Sequence, residues 1–261
     1  MDMAQYSTSQ PQNGQLYPEI QPTQTSGYPQ PLFVSPAPEN RAPIPPVMPG
    51  LEPLINAQQL IVKQKKEMLE VFTGWEANNK YEIYSESGQL VYFAVEDTSG
   101  LSRCFFGDDR PFCIRIFDGQ RRPLVVLTAN VDCCTQQVSV QVPEGNEMAT
   151  IYKEFAFMAP SFFIKDNAGA VAFKIKSPMT AALGSFRDVK FDILASDQNT
   201  VVGEISKKWG GFIREAFTDA DTFGISIPVE MDVTWKAVLL AALFHVDFTF
   251  YEKAANKNRH H

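Results

Sequence analysis

The densest set of potential metal ligands in the chain lies in twelve consecutive residues. Asp219-Ala220-Asp221-Thr222-Phe223-Gly224-Ile225-Ser226-Ile227-Pro228-Val229-Glu230 puts carboxylates at the first, third and twelfth positions and glycine at the sixth. A calcium-binding EF-hand loop has this spacing, because alternate residues converge on one ion while the glycine makes the sharp turn. The fifth position departs from it: Phe223 brings no side-chain oxygen, so Phe223, Ile225 and Ile227 have only main-chain carbonyls to offer. The exit departs too, since Pro228 and the alternation Ile225/Ile227/Val229 read as strand rather than helix. What remains is a weak site of Asp219, Asp221, Glu230, the Ile225 carbonyl and water, with affinity on the order of 10⁻⁴ to 10⁻³ M. The other reading is a surface turn in which Asp219 caps or bends the chain after a helix.

Covalent chemistry is poorly served. Two of the three histidines are the terminal His260-His261, and no histidine-centred or nucleophile constellation exists, so a conventional enzyme is the class least expected. The four cysteines (Cys104, Cys113, Cys133, Cys134) form no CxxC pair and no N-x-S/T sequon occurs, which fits a reducing cytosolic setting. The N-terminus lacks a basic start followed by an apolar run, so no secretory leader is expected. Formal net charge is −7, and residues 1–50 carry only Asp2, Glu19, Glu39 and Arg41. The rest is therefore acidic as well, against bulk attraction to nucleic acid or anionic lipid. Basic residues gather only locally, at Lys63/Lys65/Lys66, Arg121/Arg122 and Lys207/Lys208.

The elements that must position these residues divide the chain. Residues 1–50 hold most of the prolines and few aliphatics, too little apolar surface to offset the cost of ordering. They read as a disordered, partly polyproline-II tail. Its PxxP spacings at Pro43, Pro46 and Pro49 are the ligand grammar of SH3 and WW domains, or simply a spacer. A domain over 51–253 follows, then a short polar tail, 254–261. Four hairpins are legible, turning at Ser87-Gly88, Asp118-Gly119, Asp166-Asn167-Ala168-Gly169 and Asp197-Gln198-Asn199. Their turns fall in two pairs about thirty residues apart, which reads as a pseudo-repeat of two β-meanders. So long an antiparallel sheet must hide its edges, and a closed barrel of about twelve strands is the economical answer. Helices are expected at Gln64–Phe72 (although Leu60-Ile61-Val62 before it reads equally as strand), at Gly210–Phe217, and in the apolar run Trp235–Tyr251.

That run has two readings. As a transmembrane helix it is of minimum length, with Trp235 and Tyr251 at the interfaces and Lys236 snorkelling. Its eight large apolar residues contribute about −0.3 to −0.6 kcal/mol each to insertion, against about +2.5 to +3.5 for Asp247 near the centre, with His245 adding to the cost. The sum is close to zero. As a core helix, Leu239, Leu240, Leu243 and Phe244 would lie inside the barrel, because a helix apolar on all sides must be surrounded.

Several stretches resemble the phospholipid scramblase family: Leu69–Glu76 with Asn78–Ile83, Gly88–Ala94 with Glu96-Asp97, Val201–Trp209, and above all Arg214–Ile225 followed by Pro228 and the apolar run. The likeness covers about 48–253. It implies calcium-dependent, ATP-independent, bidirectional movement of phospholipids between leaflets without headgroup selection. It also implies that Asp219, Asp221, Phe223, Ile225, Ile227 and Glu230 form the calcium segment. The family is described as single-span type II, on the cytosolic face of the plasma membrane. It is also similar to tubby-like domains, in which a β-barrel wraps a hydrophobic helix. Many members carry a cysteine-dense palmitoylation cluster, of which only Cys133-Cys134 remains here. Two acyl chains still suffice for anchoring; the alternative is a plain reduced pair. Gly203–Phe212 resembles a nuclear-import segment of the family, here with few basic residues. Homo-oligomerisation, and a soluble adaptor that binds anionic lipid headgroups, complete the expectations.

Overall fold

Period-two alternation dominates the residues that form the fold. In Phe112–Phe117, Phe112, Ile114 and Ile116 are buried while Cys113 and Arg115 are half-buried, as a strand with one face in a core requires. The computed structural model describes residues 47–65, 77–97, 112–131, 136–154, 160–178, 189–207 and 222–249. They form β1 (Gln59–Lys65), β2 (Ala77–Ser85), β3 (Leu90–Asp97), β4 (Phe112–Phe117), β5 (Pro123–Val131), β6 (Gln136–Gln141), β7 (Glu147–Glu154), β8 (Ser161–Asp166), β9 (Val171–Lys176), β10 (Lys190–Leu194), β11 (Val201–Lys207), β12 (Thr222–Ser226) and the helix α1 (Val233–Asp247). Each strand lies antiparallel to its sequence neighbours. β1 also pairs with β12, Leu60 opposite Ile225 and Val62 opposite Phe223, so the sheet closes with no free edge.

A barrel of eight strands is filled by its own side chains, and twelve enclose more room. α1 occupies it. Every residue from Lys236 to Asp247 is buried, among inward-facing Leu60, Tyr81, Phe112, Val138, Ile151 and Phe162. Tyr81 meets Phe244 edge-on at 5.0 Å between ring centroids, and His245 lies 5.0 Å from Phe162 in the same manner. The helix starts where Asp232 accepts hydrogen bonds from the N–H groups of Thr234 (2.8 Å) and Trp235 (3.4 Å), satisfying two otherwise orphaned donors.

The core-helix reading of the apolar run therefore holds, and among the described residues no helix is long and apolar enough to cross a membrane. The barrel around a C-terminal helix is also as expected. Two details differ. Of the helix expected at Gln64–Phe72, Gln64 and Lys65 belong to β1, paired with Tyr81 and Lys80 of β2, and residues 66–72 lie outside the described residues. The two meanders are one: β6 and β7, joined through Pro143-Glu144-Gly145, bridge the hairpin pairs. The helix expected at Gly210–Phe217 lies outside the described residues.

Antiparallel order gives the barrel two unlike ends. Turns at Ser85–Gln89, Asp118–Arg122, Val142–Asn146, Asp166–Ala170 and Ala195–Thr200 gather at one, with the short 3₁₀ turn Glu52–Leu54 and the start of α1. At Gly88 the φ of 78° is the left-handed region that glycine enters without cost. The strand ends Lys65, Asp97, Val131, Gln136, Lys207 and Thr222 mark the other.

Candidate functional site

The described part of the acidic segment 219–230 is a strand and its exit. Phe223 and Ile225 are buried in β12, flanked by β1 and β11, so the ladder takes up their backbone carbonyls. Ile227 is buried and its N–H donates to the Gln58 carbonyl at 2.8 Å, while Glu230 is exposed beyond it. Thr222 to Ser226 extends about 13 Å at ~3.3 Å per residue. The described residues of that frame from Thr222 to Ser226 are strand, in keeping with the alternation read from the sequence. Among the described residues no group of three acidic, histidine or cysteine side chains could hold a metal. Asp219 and Asp221 lie outside the described residues, as do Cys133, Cys134, Pro43, Pro46 and Tyr251.

At the hairpin end, α1 begins with Trp235, half-buried and edge-on to Phe173 at 5.5 Å, and then Lys236, wholly buried. The Lys236 ammonium donates to four main-chain carbonyls: Leu54 and Val229 at 2.9 Å, Ile55 and Ala57 at 3.0 Å. Burial pulls its amine below the usual lysine value, and the charge of Glu230 opposes that. The chain's entry is fixed beside it. Gly50 donates its N–H to Glu52 at 2.7 Å and accepts from the Tyr92 hydroxyl at 3.0 Å; burial, then Glu52 and Asp118, push that phenol up. Pro49 stands at the head of this segment, in a turn. Leu239, Leu240, Leu243 and Phe244 continue α1 as core.

Of the basic clusters, Lys63, Lys65 and Arg122 are engaged, while Lys66 and Lys208 lie outside the described residues. Lys63 is buried with its ammonium 5.3 Å from the Tyr84 ring centroid, and Lys65 lies 3.6 Å from Glu82. Arg122 pairs with Asp118 at 2.7 Å, and Arg121 stays exposed. Burial raises the Asp118 carboxyl, but the N–H groups of Arg122 and Gln120 and the Arg122 guanidinium outweigh it and hold the group low. Gly203 to Lys207 of the import-like stretch belong to β11.

Sequence reasoning missed two arrangements. One is the Lys236 cage, whose signal was a lone lysine opening an apolar run. The other is a polar row on β1, β2 and β3: Gln64 donates to Asn79 at 2.7 Å, and Asn79 donates to the buried Glu96 at 2.7 Å. Its signal was polar residues in the inward phase of their strands, Gln64 following Leu60 and Val62 at period two.

Fold and site together define a class: a closed twelve-stranded β-barrel domain filled by one apolar C-terminal helix. The Scramblase family model matches residues 37–253. Phospholipid scramblase 1 of Rattus norvegicus is 40% identical over 251 residues, covering 90% of this chain and 75% of that protein. Phospholipid scramblase 2 of Homo sapiens is 37% identical over 246 residues, covering 90% and 82%. A solved protein from Arabidopsis thaliana aligns over 76% of this chain and 97% of its own, at 14% identity and a TM-score of 0.45. The chain belongs to the Scramblase family.

Proposed function

We propose that the protein moves phospholipids between membrane leaflets, in both directions, without ATP or headgroup selection and in response to calcium. The supporting observation is family membership over 37–253, with relatives named phospholipid scramblases at 37–40% identity. No covalent bond changes in such transport. A headgroup must cross about 30 Å of hydrocarbon, and a helix enclosed by a barrel lines no path for it. Movement would then require several copies, or a barrel that thins the bilayer from its surface. Calcium response is assigned to Asp219, Asp221 and Glu230. Cys133 and Cys134 would carry two acyl chains, enough for anchoring at the cytosolic face of the plasma membrane. The Pro43–Pro49 stretch would serve SH3 or WW partners, and a nuclear pool through Gly203–Phe212 belongs to the same reading.

A second reading is favoured by one observation: α1 lies inside the barrel. The domain would then be a lipid-binding adaptor that recognises anionic headgroups. Of its basic clusters, Lys63, Lys65 and Arg122 are engaged by Tyr84, Glu82 and Asp118, and Arg121 is exposed. Its hairpin turns also expose Glu86, Glu144 and Asp197 against Arg121, a balance that does not favour an anionic surface at that end.

The test is a dithionite assay on liposomes containing the purified protein and a fluorescent phospholipid. Transport predicts loss of inner-leaflet fluorescence that needs protein and calcium, proceeds without ATP, and vanishes in Asp219→Ala/Asp221→Ala. Binding to anionic liposomes with the inner leaflet fully protected would support the adaptor instead. A calcium response unchanged in the double variant would remove those two residues from the account.

A further inference from the structure

Most buried lysines reach for a carboxylate, but Lys236 is surrounded by backbone. Its side chain is wholly buried, and four carbonyl oxygens stand 2.9–3.0 Å from Nζ. An ammonium has three N–H donors. Four acceptors at nearly equal distance therefore treat it as a point charge rather than as three directed bonds. Carbonyls that converge in place of a hydration shell are how proteins hold monovalent cations. The spacing exceeds the roughly 2.3–2.6 Å of calcium–oxygen contacts and the roughly 2.0–2.1 Å of magnesium. The Glu230 charge acts favourably on the same group. The cage lies close to the surface, since Ile55, which supplies one carbonyl, is 40% exposed.

We propose that the Leu54, Ile55, Ala57 and Val229 carbonyls form a monovalent-cation site whose resident is the protein's own Lys236 ammonium. Three of these carbonyls belong to the turn leading into β1, and the fourth to the turn between β12 and α1. The cation ties both segments to the first turn of the helix and seals the hairpin end over the core. Emptied, the site takes the ammonium from four convergent carbonyls, of which Leu54 keeps the Ala57 N–H at 3.2 Å, and under-satisfied buried polar groups are costly. A free ion of ammonium size then has the same coordination to gain. This inference is independent of the lipid activity, and its test uses no membrane.

Lys236→Ala, which empties the cage, and Lys236→Met, which refills the space without charge, are melted as full chains in choline, potassium or ammonium chloride at equal concentration. In choline, Lys236→Ala should melt about 10 °C below the native protein. Ammonium, and to a smaller extent potassium, should restore at least half of that loss, and should restore nothing in Lys236→Met. If Lys236→Ala does not fold in choline, the folded fraction regained on refolding in ammonium against choline becomes the readout. Equal behaviour of Lys236→Ala in ammonium and choline overturns the proposal, as does an equal gain in Lys236→Met.

Discussion

Lys236 and Tyr84 are polar groups set by contacts of opposite range. One takes its setting from residues distant in the chain, the other from a residue two positions away. The Lys236 partners include residues 179–182 positions away, and no local pattern announces such a contact. Tyr84 donates to Glu82 at 2.5 Å across one strand pleat. Burial first, and then Glu82, push its phenol up to about 12. The sign follows from linkage: a group whose folded-state pKa is raised favours the folded state while protonated. Its contribution is complete below the ordinary tyrosine value and is lost as pH rises through about 12. A rapid alkaline jump, read by tyrosinate absorbance before unfolding, should show a late-ionising tyrosine near that pH. Tyr84→Phe should remove it; an unchanged late step in Tyr84→Phe would contradict the assignment.

At the scale of elements, turn chemistry and alternation made most of the barrel legible. Asp118-Gly119 and Asp166–Gly169 hold their turns through aspartate side chains that accept from N–H groups two and four residues on. β6 and β7 were missed because Gln136, Gln137, Ser139 and Gln141 dilute the apolar signal to the two inward valines, Val138 and Val140. β1 was ambiguous because Ile61, Lys63 and Lys65 alternate with Leu60, Val62 and Gln64. An apolar run continuing into lysines fits either period. In the acidic segment the strand alternation was legible as well: β12 places Phe223 and Ile225 in the core, while Asp219 and Asp221 lie outside the described residues. α1 was legible as a helix, but apolarity on all sides suits a barrel interior and a bilayer alike, so its place was left open. Phe244, wholly buried against Tyr81, carries much of that packing. Phe244→Ala should destabilise the domain by about 3–5 kcal/mol in denaturant titration. A change below about 1 kcal/mol, the size expected of an exposed site, would mean that the ring is not in the core.

For the whole molecule, family membership and the position of α1 pull on each other. The resemblance admitted both a spanning helix and a helix inside a barrel, and insertion energetics near zero did not separate them. Closure of twelve strands around Lys236–Asp247 does. Pairing between β1 and β12, separated by most of the domain, is what sequence patterns leave undetermined, because alternation specifies faces and not partners. The central claim is that α1 is the core of the barrel and not a membrane span. The direct measurement is extraction of membranes from cells that express the full chain with Cys133→Ser and Cys134→Ser, which removes any acyl anchor. A core helix predicts that concentrated salt with a calcium chelator leaves the protein in the supernatant, folded and without detergent. Retention in the membrane until detergent is added would contradict it and return α1 to the bilayer.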